Sequence, residues 1–352
     1  AKYDGKINPL DFIQIKLIIV GKEKELTIVD DRGRIKVFKL PMKRIICIDD
    51  DEGEPIRVLG AEDLVVGVGT SLVTHDIILP EMSKLPTVGS TWGGIDYEKL
   101  LSLRTALFLA PSLSGQAPKI EEELEPYGVQ VFLAMFNIPT EVVENIKKLG
   151  YLIDKVDKAE EFADFHEEVI NKIKARVEGL PEDKKPRVYM EQCFGKYKTS
   201  SKGWKHDDIC TMAGGINIAH DLAGDTYWAF NVDPEWVVEQ NPDIIIKEVS
   251  SKCGFGVEDA TEMKAAREEI MNRPELANVN AVKKGNVYVV SSDIARSGLQ
   301  GFVMAAYMAK WFHPDLFKDL DPESIQQGYV DRFLRVDYDV KKGTFVYPSL
   351  ED

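Results

Sequence analysis

The stretch from Asp157 to about Gly179, DKAEEFADFHEEVINKIKARVEG, constrains the fold more than any other part of the chain. Phe162, His166, Val169, Ile170, Ile173 and Val177 recur at spacings of three and four, which gathers them into one apolar stripe on an α-helix. Glu160, Glu161, Glu167, Glu168, Lys172, Lys174 and Arg176 fall on the other face, with Glu168 and Lys172 at a favourable i,i+4 spacing. Gly179 and Pro181 end the pattern. About 22 residues at 1.5 Å rise make a rod of roughly 33 Å, long enough to cross a small domain. Periodicity leaves two readings open: a bridge between two lobes, or a core helix of one large domain.

Length favours two lobes, because 352 residues exceed the size at which a single core stops growing. An apolar share of 44% with 29% charged residues describes a globular chain, not a disordered one. The net charge of −15 argues against non-specific nucleic-acid binding, which needs a basic face. No apolar run approaches the ~18 residues of a membrane span. The first residues do not read as a signal peptide, so the expectation is that any export segment has been removed. Cys47, Cys193, Cys210 and Cys253 form no CxxC pair and no zinc-like spacing with histidine. A Cys193–Cys210 disulfide in an oxidising compartment stays open, with buried free thiols expected for at least two of the four.

Residues 26–38, LTIVDDRGRIKVF, are two alternating runs around Asp31-Arg32-Gly33 and predict a β-hairpin closed by Pro41. Apolar strand runs follow at 43–48, 64–69, 106–110 and 129–134, separated by helices expected at 54–60, from Asp96, and at 118–126. After the long helix the alternation restarts, with strands at 186–192, 242–249 and 286–290 and helices at 206–215, 263–272 and 299–312. A further helix covers PESIQQGYVDRFL, and FVYPSL reads as a terminal strand. Nearly all-apolar strands alternating with helices through short connections predict parallel sheets covered on both faces. The halves share a phrase: Asp96-Tyr97-Glu98 and Asp233-Pro234-Glu235 each open a helix leading to a strand, with the Asp as N-cap. Gly214-Gly215 is expected to end a helix, since no phosphate-binding glycine motif is present.

The start of the chain has its own pattern. Asp4-Gly5, Ile7, Asn8 and Asp11 running into an apolar helix resemble the second half of a dockerin-like or EF-hand-like calcium loop. The pattern is partial: Lys2 stands where a carboxylate or Asn is expected, and the first ligand position is missing. A small helix packed on the N-terminal lobe is the expectation here.

Taken in order, the D-R-G-R hairpin, K-R-I-I-C-I, V-G-x-G, V-G-S-T-W-G-G-I-D-Y-E, the long charged helix, M-A-G-G-I-N-I-A, V-D-P-E-W-V-V-E-Q-N-P-D-I-I-I and A-K-W-F-H-P-D-L-F resemble a known family. It is the substrate-binding proteins of ABC importers for ferric siderophores, haem and cobalamin, and the resemblance covers about residues 26–335. It implies an α/β fold of two Rossmann-like lobes with central parallel sheets, joined by one long α-helix, with a ligand cleft between the lobes. The expected organisation is a partial dockerin-like segment at 1–25, a β-hairpin at 26–42, an N-terminal lobe at 43–156, the bridging helix at 157–180 and a C-terminal lobe at 181–352. It also implies a non-enzymatic, monomeric receptor outside the cytoplasm, tethered to the membrane by a segment absent here, with an ABC permease as partner and no cofactor. By motif, Glu98 and Glu235 take the positions of the glutamates that dock onto permease arginines. Each also complements its own helix N-terminus, and Trp236 is expected to pack beneath its helix.

Ligand contacts are expected where strands end at their carboxyl edges. The candidates are His75 and Trp92 in the first lobe, and Tyr197, Trp204, Tyr227, Trp228 and Arg296 in the second. Trp92 resembles the pocket-lining tryptophan in the S-T-W-x-G of cobalamin-binding members. Aromatic rings suit the flat or greasy face of a large chelate or macrocycle, and a guanidinium pairs with carboxylate or catecholate oxygens. His166 lies on the apolar stripe and reads as a core residue, while His206, His220 and His313 are scattered, so no bare metal-ion site is expected. The leading expectation is a receptor for an iron(III) chelate of siderophore or haem type, with a corrinoid receptor as its close alternative. From another class comes a tetrapyrrole metal chelatase, which needs a histidine and a carboxylate converging on the substrate. A surface interaction module, suggested by the dockerin-like start, is the third.

Overall fold

The computed structural model describes residues 24–350 apart from 223, 225, 227, 296 and 297, so the calcium-loop-like start lies outside the described residues. Two compact units emerge: one holds the described residues up to Phe136 with Glu141–Asp164, the other Asn137–Thr140 and the residues from Phe165 onward.

In the first unit, β1 (Glu25–Val29) and β2 (Ile35–Lys39) pair antiparallel, with Val29 opposite Ile35. The turn between them follows from D-D-R-G-R. Gly33 adopts φ +73°, and the buried Asp30 carboxylate accepts the backbone N–H of Arg32 and Arg34 at 3.0 and 2.9 Å. The hairpin is fastened to its unit. Arg34 bridges Asp30 and Glu121 at 2.7 Å, and Asp31 accepts the Met135 N–H and the Asn145 amide.

The sheet beneath consists of β3 (Ile45–Cys47), β4 (Val65–Val68), β7 (Leu107–Ala110) and β8 (Gln130–Leu133), all parallel in the order β4-β3-β7-β8. A small antiparallel pair, β5 (Gly89–Ser90) and β6 (Gly94–Ile95), stands between β4 and β7 in the chain. Ile46, Phe108, Val131 and Leu133 pack with Leu100, Ile120 and Leu124 from the covering helices. Gly69 is obligatory where β4 leaves β3, since a Cβ there would lie 1.5 Å from the Ile48 carbonyl oxygen. The helix expected at 54–60 begins earlier, at Asp50, and runs to Val58. Asp50, Asp51 and Glu52 occupy its first turn, where the helix dipole favours acids. An unexpected helix, Val142–Leu152, buries Val142, Ile146 and Leu149.

The second unit repeats the plan with β9 (Arg187–Glu191), β11 (Ile216–Asn217), β13 (Ile244–Val249), β14 (Val287–Ser291) and β15 (Val346–Tyr347), in the order β11-β9-β13-β14-β15. All pairings are parallel except that of β15, which lies antiparallel against β14. β10 (Lys198–Thr199) and β12 (Phe230–Asn231) form a separate antiparallel pair. Counted in chain order, the first sheet runs 2-1-3-4 and the second 2-1-3-4-5, a doubly wound α/β arrangement with the strand order reversing between the first and third strands.

The long helix spans Val156–Val177, with residues in both units. Phe162, His166, Val169, Ile173 and Val177 are buried as the stripe predicts. His166 stands edge-on to Phe302 at 5.5 Å, and burial pushes its pKa down to about 4, so it is a neutral core residue. Gly214, at φ +82°, ends the helix Lys205–Met212 as expected. All four cysteines are free, so the Cys193–Cys210 disulfide does not form; Cys210 is wholly buried.

Candidate functional site

In an open sheet of this order, ligand contacts belong beyond the carboxyl ends of the strands where the order reverses. That point lies after β3 and β7 in one unit and after β9 and β13 in the other.

In the first unit, β3 delivers Ile48 and Asp49 to this edge. The Thr91 hydroxyl donates to Asp49 at 2.7 Å, which fastens the β5–β6 hairpin there. Trp92 follows in that hairpin and is 87% exposed, so its ring is not used in packing the unit. Burial pushes the Asp49 carboxyl up to about 6; the Thr91 bond opposes the rise, and the charges of Asp50 and Asp51 add to it. The Asp50 N–H donates to the Ser71 hydroxyl. His75 Nδ1 lies 3.0 Å from the Ser71 carbonyl, and its Nε2 lies 3.8 Å from Asp50. These contacts bring His75, Asp49, Asp50 and the Trp92 hairpin to one edge. Glu52, one turn into the following helix, is buried with neither carboxyl oxygen hydrogen-bonded.

In the second unit, β9 ends at Glu191, a carboxylate clamped by Arg273 through two bonds of 2.7 and 2.8 Å and by Lys247 at 3.1 Å. Burial raises the Glu191 pKa, but these cations and the Tyr197 N–H outweigh it and hold the carboxyl below its usual range. Tyr197 is drawn into the same network: its hydroxyl donates to Glu275 at 2.5 Å and its ring lies 4.7 Å from the Arg273 guanidinium. That places it in an ion-pair scaffold and against the core cluster around Tyr189. Beyond β9 stand three aromatic residues. Trp228 meets Phe194 edge-on at 6.0 Å and Trp204 at 6.4 Å, while the Gln192 amide donates to the Trp228 carbonyl at 2.6 Å. Phe194, 48% exposed, was not anticipated; nothing in its local sequence separates it from a packing residue. Tyr227 and Arg296 lie outside the described residues.

Two histidine–carboxylate pairs also appear. His206 Nε2 lies 3.2 Å from Glu248, both side chains at most 4% exposed, in a crevice too narrow for water. His220 Nδ1 lies 3.0 and 2.9 Å from the two oxygens of Asp207, which also accepts the Asn217 amide. Among the described residues no group of three or more His, Cys, Asp or Glu is placed to hold a metal ion.

With this geometry in hand, the comparisons decide the family. A family model described as periplasmic binding protein matches residues 45–294, most of the chain. The chain belongs to that family. Comparison with curated proteins gives no match. Among solved structures, this binding protein is similar to the TroA-like periplasmic binding protein FepB of Veillonella parvula, at 23% identity and a TM-score of 0.74, covering 91% of this chain and 99% of that one. It is similar to the molybdate periplasmic binding protein MolA of Haemophilus influenzae, at 17% and 0.72, covering 89% and 99%. CeuE of Helicobacter pylori, solved in a Ni–His complex, follows at 19% and 0.69, covering 89% and 96%. At such identities these likenesses speak for the fold. As a periplasmic binding protein of ABC importers, the chain is a transport protein that binds a small molecule outside the cytoplasm and works with a membrane permease. None of its described helices is long and apolar enough to cross a membrane.

The two residues expected to dock, Glu98 and Glu235, both stand at helix starts. Glu98 is exposed in the first turn of the helix Tyr97–Ser102, whose N-cap Asp96 accepts the Lys99 N–H at 2.9 Å. Glu235 is exposed in the first turn of Pro234–Gln240, whose N-cap Asp233 accepts the Glu235 N–H at 2.9 Å. Trp236 packs against the core cluster beneath that helix. Each helix leads into the third strand of its sheet, β7 or β13.

Proposed function

We propose that this binding protein captures a metal chelate, an iron(III) complex of siderophore or haem type, with residues at the carboxyl edges of its sheets. The observation that carries the reading is the set of aromatic side chains at those edges. Trp92 offers an 87% exposed indole on a hairpin tied to Asp49, and Trp204, Trp228 and Phe194 cluster beyond β9. Broad faces of this kind suit a large flat or greasy ligand better than a small hydrated ion. The S-T-W-G-G setting of Trp92 favours a corrinoid as the second reading. A chelatase would need a histidine and a carboxylate that reach the porphyrin: His206 and Glu248 converge but are closed to it at 4% and 3% exposure, while the partly exposed His75 stands 3.8 Å from Asp50 and His220 2.9 Å from Asp207.

Delivery to the permease rests on Glu98 and Glu235. Both are exposed anions at helix starts, suited to a basic partner. Tryptophan-fluorescence titration against ferric catecholates, ferric hydroxamates, hemin and cobalamin tests the ligand. Saturable quenching by one class identifies it, and no response to any of them defeats the chelate reading. Transport by a Glu98→Lys, Glu235→Lys double variant tests docking. Ligand binding should persist while transport fails, and full transport would remove the docking assignment.

A further inference from the structure

The turn of the β1–β2 hairpin is seated at the carboxyl edge of the first sheet. Asp31 accepts the N–H of Met135, just past β8, at 2.7 Å, and the Asn145 amide donates to the same oxygen at 2.9 Å. Arg32, the next residue, reaches the loop that follows β7. Its Nε donates to the Ser112 carbonyl at 3.0 Å, and one Nη makes a longer bond to the Ser114 carbonyl at 3.4 Å. The reach is fixed at its root. Asp30 accepts the Arg32 N–H on its carboxylate at 3.0 Å and the Gly33 N–H on its carbonyl at 2.8 Å.

The loop reached by Arg32 reads P-S-L-S-G-Q, residues 111–116, between β7 and the helix Ala117–Leu124. Its own bonds are few: the Ser114 N–H donates to the Pro111 carbonyl at 3.2 Å, and the Gln116 N–H to the Ser114 hydroxyl at 3.1 Å. Among the described residues, Arg32 is the only side chain from outside the loop that hydrogen-bonds to it. Between the two carbonyls it grips stands Leu113, 55% exposed, although Ser112 before it is 1% exposed. A planar guanidinium bonded to carbonyls on both sides of Leu113 sets the path of the chain through that residue. An apolar side chain held in this way loses little conformational freedom when something packs against it.

We infer that Arg32 is a positioning residue for ligand binding: its guanidinium holds the loop after β7 so that Leu113 meets an apolar part of the ligand. The loop follows one of the two strands between which the strand order reverses. Two other exposed apolar side chains belong to the same edge, Val73 after β4, 44% exposed, and Trp92 on the hairpin tied to Asp49. The segments that follow β3, β4 and β7, residues 48–52, 69–76 and 111–116, contain four aspartates and a glutamate but no lysine or arginine. The hairpin brings a cation to this edge, and the cation is directed at main-chain carbonyls. The ligand surface that suits the first unit is therefore apolar, an aliphatic arm or the edge of a ring system. This rests on the chelate reading of the preceding subsection and adds to it a contact on the first unit.

The first measurement needs no ligand. In the full chain, Arg32→Ala should speed amide hydrogen exchange in residues 112–116 about tenfold or more and leave β7 and β8 protected. Unchanged exchange in the loop would overturn the inference. The second is tryptophan-fluorescence titration with ferric tris-catecholate, ferric trihydroxamate and hemin. For a probe that the wild type binds, Arg32→Ala and Leu113→Ala should each weaken binding about fivefold or more, and the double variant should lose no more than the worse single one. Arg32→Lys keeps the charge without the planar fork, so it should lose affinity as Arg32→Ala does. Full affinity in Arg32→Lys, or additive losses in the double variant, would overturn the inference and leave the chelate reading standing. Failure of the wild type to bind any of the three would count against the chelate reading, with the exchange measurement still deciding whether Arg32 holds the loop.

Discussion

In the first unit, the carboxylates that follow β3 stand among other acids: Asp49 is pushed up to about 6, and Glu52 is buried without a hydrogen-bond partner. In the second, the carboxylate that ends β9 is gripped by Arg273 and Lys247 and held below its usual range. The order of the four parallel strands is the same in both, 2-1-3-4. What differs is which helix supplies the neighbours. After β3 the chain enters a helix whose first turn is Asp50-Asp51-Glu52, so acid is added to acid. Beside β9, Arg273 just past the helix Thr261–Met271 and Lys247 on β13 bring cations in from elsewhere in the chain. Topology places a carboxylate at the reversal point, while the surrounding sequence decides whether it is a proton store or half of an ion pair.

The largest expected effect comes from breaking that ion pair. Arg273→Met leaves Glu191 buried and Glu269 short of its main partner, and should destabilise the protein by about 3–5 kcal/mol in denaturant unfolding. A loss below about 1 kcal/mol would show that Lys247 alone compensates Glu191 and would blunt the contrast between the units.

Next come the aromatic faces. Trp92→Ala and Trp204→Ala should each weaken ligand binding by about 1–3 kcal/mol. Trp92→Ala should leave the melting temperature nearly unchanged, because its ring is exposed. A stability loss with intact affinity would reassign the residue concerned to packing.

The two carboxylates should also answer pH in opposite directions. Glu52 has its pKa raised by burial, from an ordinary 4.5. Below that value it is protonated in both folded and unfolded chains and costs nothing. Above it the unfolded chain ionises first, so the folded state loses about 1.4 kcal/mol per pH unit until the buried group ionises too. Glu52→Gln should therefore be near neutral at pH 4 and stabilising by about 1–3 kcal/mol at pH 7, read from paired unfolding curves. Glu191, with its pKa lowered, contributes stability above its ordinary value that is lost as pH falls through its folded value. A Glu52→Gln gain that does not grow with pH would end this account.

The smallest effect belongs to the two docking candidates. Glu98→Ala and Glu235→Ala remove a favourable charge at a short helix start and should cost only a few tenths of a kcal/mol each. A cost above about 1 kcal/mol in one of them would show that it has a structural role its counterpart lacks.

Much of this was legible in the sequence because the strands are long apolar runs and the helices are bounded by capping residues. Ile45–Cys47, Leu107–Ala110 and Ile244–Val249 declare themselves, as does the stripe of the long helix. The two-residue strands β10, β11 and β12 do not, since a period cannot be read from two residues. The histidine pairs were hidden for the same reason. His220 meets Asp207 because β11 carries the chain back along β9, and His206 meets Glu248 because β13 lies beside β9. The network around Tyr197 was equally hidden: its hydroxyl donates to Glu275 and its ring lies against Arg273, residues far from it in the chain. Pairings that depend on strand adjacency carry no local signal.

The antiparallel strand β15 has a consequence for handling the protein. It pairs with β14 through Val346 opposite Val290 and Tyr347 opposite Val289, and the Phe345 carbonyl accepts the Ser291 N–H. Without residues 344–350, β14 would present the main-chain groups of Val-Tyr-Val-Val-Ser as an open template for another chain. A truncated preparation should therefore be prone to self-association through strand addition, with light scattering and thioflavin fluorescence rising before any global unfolding is detected.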